Sequence, residues 1–122
     1  MRARQWSIFA TLAALVVLLV SVTAASQDQG ATREFTVVGS RYAFQPPTIE
    51  VNRNDLVKVT FTAQDIAHSF TIDNPYRIAK RAGAGQAVTF EFRADQPGTF
   101  TYYCNLTQDE GCKNMKGRLV VR

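Results

Sequence analysis

From residue 35 to the C-terminus, apolar residues recur at every second position in short runs, and no helical period persists. A spacing of two places apolar side chains on one face of a β-strand, so each run predicts a strand. The runs cover residues 35–38, 49–51, 56–63, 88–92, 100–104 and 119–121, and a further strand is predicted from His68. Turn-forming segments separate them, as is typical of β-sandwiches and barrels. The predicted fold is all-β.

The first 26 residues differ from this pattern. Two arginines precede an apolar run over residues 8–22, and small residues follow at 23–26. This order is that of a secretory signal. Residues 7–25 also approach the length of about 20 apolar residues that spans a bilayer as a helix. A cleaved signal and a retained membrane helix therefore both stay open, and either one places the rest of the chain in the periplasm or another extracytoplasmic space.

The chain thus divides into three parts: residues 1–26 as signal or anchor, 27–34 as a polar linker, and 35–122 as one small β domain. The net charge of +4 overstates the basic character of the domain. Removing residues 1–26 leaves twelve basic and ten acidic residues, a net charge of +2. These charges are scattered and accompany no nucleic-acid motif, so no nucleic-acid partner is predicted.

Four side chains have the chemistry of metal ligands: His68, Cys104, Cys112 and Met115. An imidazole, two thiolates and a thioether suit copper, and the soft sulfur ligands suit Cu(I) in particular. One donor comes from an upstream strand and three come from a single loop near the C-terminus. We therefore predict a copper site. Ser69 and Asn105 lie beside its ligands and are candidates for supporting hydrogen bonds, although ordinary strand and turn roles are favoured for both.

The two cysteines also permit another interpretation. In an exported protein a pair of cysteines commonly forms a disulfide, and Cys104 can pair only with Cys112. His68 would then be structural, and the domain would be a metal-free interaction module. The residues alone leave both interpretations open.

Three stretches carry a resemblance to a known family: DIAHSFTID around His68, VTFEFRADQPGTFTYYC ending at Cys104, and MKGRLVV beginning at Met115. They resemble the cupredoxin domain of cytochrome c oxidase subunit II and its free-standing periplasmic relatives. Upstream, FQPPTIEVNRNDLVKVTFT is similar to the same family, so the likeness covers about residues 35–121. It implies a cupredoxin-like Greek-key β-sandwich, here preceded by one hydrophobic N-terminal helix, that binds copper and moves electrons outside the membrane.

The ligand pattern departs from that of the oxidase. Its binuclear centre uses an upstream histidine and then C-x-E-x-C-x3-H-x2-M, which His68, Cys104 and Met115 match. Three positions differ: Leu106 replaces the glutamate, Gln108 the second cysteine and Cys112 the second histidine. Because the second bridging thiolate is missing, the resemblance favours one copper ion.

The leading hypothesis is an exported copper protein that acts in electron transfer or copper handling linked to respiration. Its expected partner is a redox protein, an oxidase or a copper-donor protein, together with the membrane if residues 7–25 are retained. The sequence has no acid–base pair around a second histidine, no Ser/His/Asp set and no phosphate-binding glycine loop. No enzymatic activity is therefore predicted, unless the chain works as part of an oxidase complex.

Overall fold

A computed structural model of the protein describes residues 19–21 and 30–122. Its strands are β1 (Thr32–Ser40), β2 (Ala43–Gln45), β3 (Thr48–Val51), β4 (Leu56–Ala63), β5 (His68–Ile72), β6 (Ile78–Ala82), β7 (Ala87–Arg93), β8 (Gly98–Tyr103) and β9 (Lys116–Val121). A short 3-10 helix (Glu110–Asn114) precedes β9. The described residues include no helix long and apolar enough to cross a membrane.

The predicted N-terminal segment 1–26 lies outside the described residues except for residues 19–21, so the choice between signal and anchor stays a prediction. Within the predicted linker, residues 27–29 are likewise outside the described part. β1 begins at Thr32, inside the segment 27–34.

The strands form two packed sheets. The first sheet has the order β2-β1-β4-β7, and the second has the order β3-β9-β8-β5-β6. The pairs β1–β4 and β3–β9 are parallel, and the other pairs are antiparallel. The chain passes repeatedly from one sheet to the other, which is the behaviour of a sandwich. The predicted all-β sandwich is confirmed.

The core lies between the sheets, where their inward faces meet. Alternate residues of β4 are buried there: Val57, Val59, Phe61 and Ala63. Aromatic rings fill the centre, with centroids 4.7–6.2 Å apart: Phe44, Phe61, Phe70 and Tyr102. Each such pair contributes about 0.5–1.5 kcal/mol beyond the burial of its area. The Tyr102 hydroxyl donates to the carbonyl of Pro46 at 2.8 Å, which satisfies the one polar group in this cluster.

Gly117 allows this aromatic cluster to reach β9. It pairs with Tyr102 in the β8–β9 ladder, and a Cβ atom added at residue 117 would overlap the Tyr102 ring. A larger residue would therefore push Tyr102 away from Phe70, against which it stacks. Position 117 therefore requires glycine, because the Tyr102 ring occupies the space that a side chain would need.

Two strands, β2 and β6, have no counterpart among the predicted runs. β2 has only three residues, and β6 exposes its three central residues between buried Ile78 and Ala82. β2 is too short for its alternation to be recognised and β6 does not alternate, so pairing with β1 and β5 determines their conformation. β5 differs in another way, because all five of its residues are buried, including Ser69 and Thr71. An alternating strand would expose those two hydroxyl groups.

Candidate metal centre

Three of the predicted donors lie at one end of the second sheet. The N–H of Cys104, which follows β8, donates to the carbonyl of Met115 at 3.3 Å and extends the β8–β9 ladder by one pair. On the other side of β8, Thr71 pairs with Tyr103, so the same register places Phe70 opposite Cys104. His68 is two residues from Phe70 and therefore shares its inward face. The fold brings these donors to neighbouring strands.

His68 is 1% exposed, and its ring is oriented by a carboxylate. Its Nε2 atom lies 2.7 Å from Oδ1 of Asp65. Because an ionised carboxylate only accepts, we assign the proton to Nε2, which leaves a lone pair on Nδ1. Nδ1 is buried and has no hydrogen-bond partner in the described part of the chain. A buried polar atom without a partner costs about 1–3 kcal/mol, and a ligand that takes this lone pair would remove the cost.

Asp65 receives further hydrogen bonds that keep it ionised. The backbone N–H of Arg41 donates to Oδ2 at 2.9 Å, and that of Ile66 donates to Oδ1 at 2.7 Å. The bond from Arg41, with those from His68 and Ile66, holds the pKa of Asp65 well below its ordinary value, against the opposing effect of burial. A carboxylate behind a histidine fixes the ring of a metal ligand and raises its basicity. Sequence analysis missed Asp65, and its position three residues before His68 was the only signal.

Cys104 and Cys112 are bonded to each other in a disulfide, with Cα atoms 5.2 Å apart. Both residues are only 2% exposed. This is the pairing of the metal-free interpretation. The thiolate is the form of cysteine that binds metals, and a disulfide contains none. Within residues 19–21 and 30–122, no group of three or more His, Cys, Asp and Glu side chains could hold a metal ion. The four-ligand site therefore stays a prediction about the reduced protein.

The 3-10 helix positions Cys112 and Met115. Asp109 caps this helix, since its Oδ1 accepts from the N–H of Gly111 at 3.0 Å. The Asp109 carbonyl accepts from the N–H of Cys112 at 3.1 Å. Met115 follows the helix, donates its N–H to the carbonyl of Cys112 at 3.1 Å and is fully buried. The thioether thus belongs to the interior, in the same loop as the disulfide.

Ser69 and Asn105 link the strands that carry His68 and Cys104. The Ser69 hydroxyl donates to Oδ1 of Asn105 at 2.7 Å and accepts from the Asn105 N–H at 2.8 Å. The N–H of Ser69 donates to Sγ of Cys104 at 3.4 Å. These bonds explain why Ser69 is buried. An N–H directed at sulfur also favours the thiolate once the disulfide is reduced.

The reduced chain would have a donor set that fits copper. His68 presents an imidazole nitrogen with a free lone pair, Met115 contains a thioether, and reduction would provide two thiolates. Nitrogen, thiolate and thioether together are ligands of copper sites. The buried, unpartnered Nδ1 is the structural observation that agrees with such a ligand. The oxidised pair does not fit, because a disulfide contains no thiolate, the form of cysteine that binds metals.

Comparison with known proteins shows the same fold in copper proteins. Auracyanin A, a "blue" copper protein from the green thermophilic photosynthetic bacterium Chloroflexus aurantiacus, is 18% identical with a TM-score of 0.63, over 75% of this chain and 99% of that chain. A heme-copper terminal oxidase dimer matches at 17% identity and a TM-score of 0.64, over 74% of this chain and 65% of that chain. A multicopper oxidase matches at 20% identity and a TM-score of 0.63, over 75% of this chain and 42% of that chain.

The chain therefore spans less than two thirds of the two oxidase chains that it matches. At these identities the likeness shows the fold. A family model described as a cupredoxin-like domain matches residues 11–121, which is most of the sequence. The chain belongs to the cupredoxin-like family.

Proposed function

We propose that this protein is an exported copper-binding cupredoxin that acts in electron transfer or copper handling linked to respiration. His68, Cys104, Cys112 and Met115 hold one copper ion when the two cysteines are reduced. The observation that carries the proposal is the His68 ring, whose Nε2 is held by Asp65 while Nδ1 is buried without a partner among the described residues. Bound copper supplies one-electron chemistry between Cu(I) and Cu(II).

The chain's own residues define the properties of this site. Asp65 orients the imidazole, and the Ser69 N–H stabilises charge on the Cys104 sulfur. Two thiolates neutralise Cu(II) better than one. We therefore expect a lower reduction potential than that of a site with one thiolate and two imidazoles. The burial of all four residues keeps water away from the donors.

A carrier function, not an enzymatic one, is proposed for this chain. The match to auracyanin A extends over 99% of that "blue" copper protein, whereas the multicopper oxidase is matched over 42% of its length. The proposed partner is a redox protein, an oxidase or a copper-donor protein outside the cytoplasm. If residues 7–25 are retained, they tether the domain to the membrane.

The direct test is copper binding by the reduced protein. The exported protein is reduced anaerobically with a phosphine, freed of reductant and titrated with Cu(I) against a chromogenic chelator. We expect one ion per reduced chain, none in the disulfide form, and intense thiolate-to-copper absorption after oxidation to Cu(II). His68→Ala and Cys112→Ser should each weaken binding. A reduced wild type that binds no copper would overturn the proposal, and unchanged binding by Cys112→Ser would remove Cys112 from the ligand set.

The disulfide favours a second candidate, a metal-free interaction module of a respiratory complex. Mass spectrometry of protein from its native compartment distinguishes the two. A mass two hydrogens below that of the reduced chain, with no bound metal, supports the module. A copper adduct with both thiols retained supports the copper protein.

A further inference from the structure

Tyr42 lies against the loop that carries Cys112, although it precedes Asp109 by 67 residues. Its hydroxyl donates to Oδ2 of Asp109 at 3.1 Å. Its ring lies so close to Gly111 that a Cβ atom added there would overlap it. Asp109 also accepts from the N–H groups of Gly111 and Cys112. One side chain, itself 42% exposed, therefore contacts both the cap and the first turn of the 3-10 helix.

Arg41, the residue before Tyr42, connects the turn between β1 and β2 to the loop that precedes His68. The backbone N–H of Arg41 donates to Asp65, which orients His68. Residues 41–42 lie in the turn between β1 and β2. Their contacts link two loops that are distant in sequence, one with Asp65 and the other with Asp109. The β1–β2 turn is thereby fixed at Asp65, and Tyr42 extends from this fixed turn onto Asp109.

The disulfide is closed to reagents in this arrangement. Cys104 and Cys112 are each 2% exposed, so a thiol reaches the S–S bond only after the loop moves. The 3-10 helix has five residues, and helices this short have little stability of their own. Contacts from outside the loop therefore control how often it opens.

We propose that Tyr42 is a positioning residue that holds the Cys112 loop closed and thereby sets the rate at which thiol reductants reach the Cys104–Cys112 disulfide. Opening has to break the Tyr42–Asp109 hydrogen bond and separate Gly111 from the ring. This inference concerns the disulfide itself, and it holds whether or not the reduced pair binds copper.

The reaction to be measured is reduction by a dithiol such as dithiothreitol. One thiolate of the reagent attacks a cysteine sulfur, the S–S bond breaks, and a mixed disulfide forms. The second thiol of the reagent then releases the protein and closes a ring. Each cysteine sulfur ends with one proton, the two electrons come from the reagent, and the reagent becomes its own cyclic disulfide.

The experiment compares reduction rates in Tyr42→Phe, Tyr42→Ala and wild type without denaturant, using the full exported protein. We expect reduction about threefold faster for Tyr42→Phe, which loses one hydrogen bond, and about tenfold faster for Tyr42→Ala, which also loses the ring. Tyr76→Phe is the matched control, because its hydroxyl donates to the carbonyl of Gln96 before the start of β8, at the end remote from Cys104. The control should react at the wild-type rate.

The urea dependence of the reduction rate distinguishes local opening of the Cys112 loop from a general loss of stability. Local opening exposes little surface, so the reduction rate should vary weakly with low urea concentrations, whereas global unfolding varies steeply. Equal rates in wild type and both Tyr42 variants would overturn the proposal. So would an acceleration that follows global unfolding in its urea dependence, because it would show that Tyr42 acts through overall stability.

Discussion

Nε2 of His68 lies 2.7 Å from Oδ1 of Asp65, and the opposite nitrogen of the same ring is buried with no partner among the described residues. One side of the imidazole is therefore fixed, and the other presents a lone pair to the interior. A histidine with a purely structural role usually satisfies both nitrogens. This asymmetry is why the copper proposal depends on Asp65 as well as on the donors themselves.

We expect Asp65→Ala to lower the Cu(I) affinity of the reduced protein about 10- to 100-fold, because the His68 ring loses the hydrogen bond that orients it. Asp65→Asn should have a smaller effect, since its carbonyl oxygen still accepts from Nε2. Competition titration with a chelator measures both. Asp95→Ala is the control, at an exposed residue shortly before β8, at the end of the strand remote from Cys104. Equal affinities for Asp65→Ala and the control would contradict the support role.

Reduction of the disulfide should destabilise the protein, and Cu(I) should reverse the loss. For the sequence separation of 8 residues, the cross-link contributes about 2.5 kcal/mol, which corresponds to about 10–20 °C in Tm. Free Cu(I) at 100 times its Kd would restore about 2.7 kcal/mol. Thermal unfolding followed by circular dichroism measures both shifts. The double variant Cys104→Ser/Cys112→Ser should resemble the reduced protein and not respond to copper. If Cu(I) does not change the Tm of the reduced wild type, no copper site forms.

Ser69→Ala should lower the free energy of unfolding by about 1–3 kcal/mol, because a buried hydroxyl that bonds Asn105 twice is lost. Urea unfolding measures the change. Thr101→Ala, at an exposed position of β8, is the control and should stay within about 0.5 kcal/mol of wild type. The double variant Ser69→Ala/Asn105→Ala should lose less free energy of unfolding than the sum of the two single variants. Both single changes remove the same hydrogen bond, from the Ser69 hydroxyl to Oδ1 of Asn105. Full additivity would argue against the link.

We expect Asp55 to lower the free energy of unfolding of the protein as the pH becomes acidic. It is 1% exposed and accepts from the N–H groups of Ala31 and Asn52, both at 2.8 Å. The bond from Ala31 contributes most to a pKa below the ordinary value of 3.8, with Asn52 and Arg33 adding to it against burial. A lowered folded-state pKa stabilises the fold above the unfolded-state pKa, and this contribution disappears as the pH falls through the folded-state value.

Asp55→Asn tests this assignment. The variant should be less stable at pH 7, and its free energy of unfolding should decline less between pH 5 and pH 2 than that of wild type. Urea titrations across this pH range supply the measurement, and Asp95→Asn serves as the surface control. An acid dependence identical to that of wild type would show that another carboxylate is responsible.

Most strands could be predicted because their signal is local. A period of two along β4 or β8 reflects one buried face, whatever lies opposite. β2 has only three residues and β6 does not alternate, so both form by pairing with β1 and β5. The burial of Ser69 was likewise not predictable from β5, since its partner Asn105 is 36 residues away.

For the candidate site, the sequence alone determined the donor types, because imidazole, thiolate and thioether chemistry belongs to individual residues: His68, Cys104, Cys112 and Met115. Only the tertiary structure decided which neighbours those residues have. It paired His68 with Asp65, joined Cys104 to Cys112, and placed Tyr42 on the loop that carries the second cysteine. The Tyr42 contact depends on how the two sheets and their loops pack, because it joins the β1–β2 turn of the first sheet to the β8–β9 connection of the second. Periodicity along the sequence contains no information about that packing.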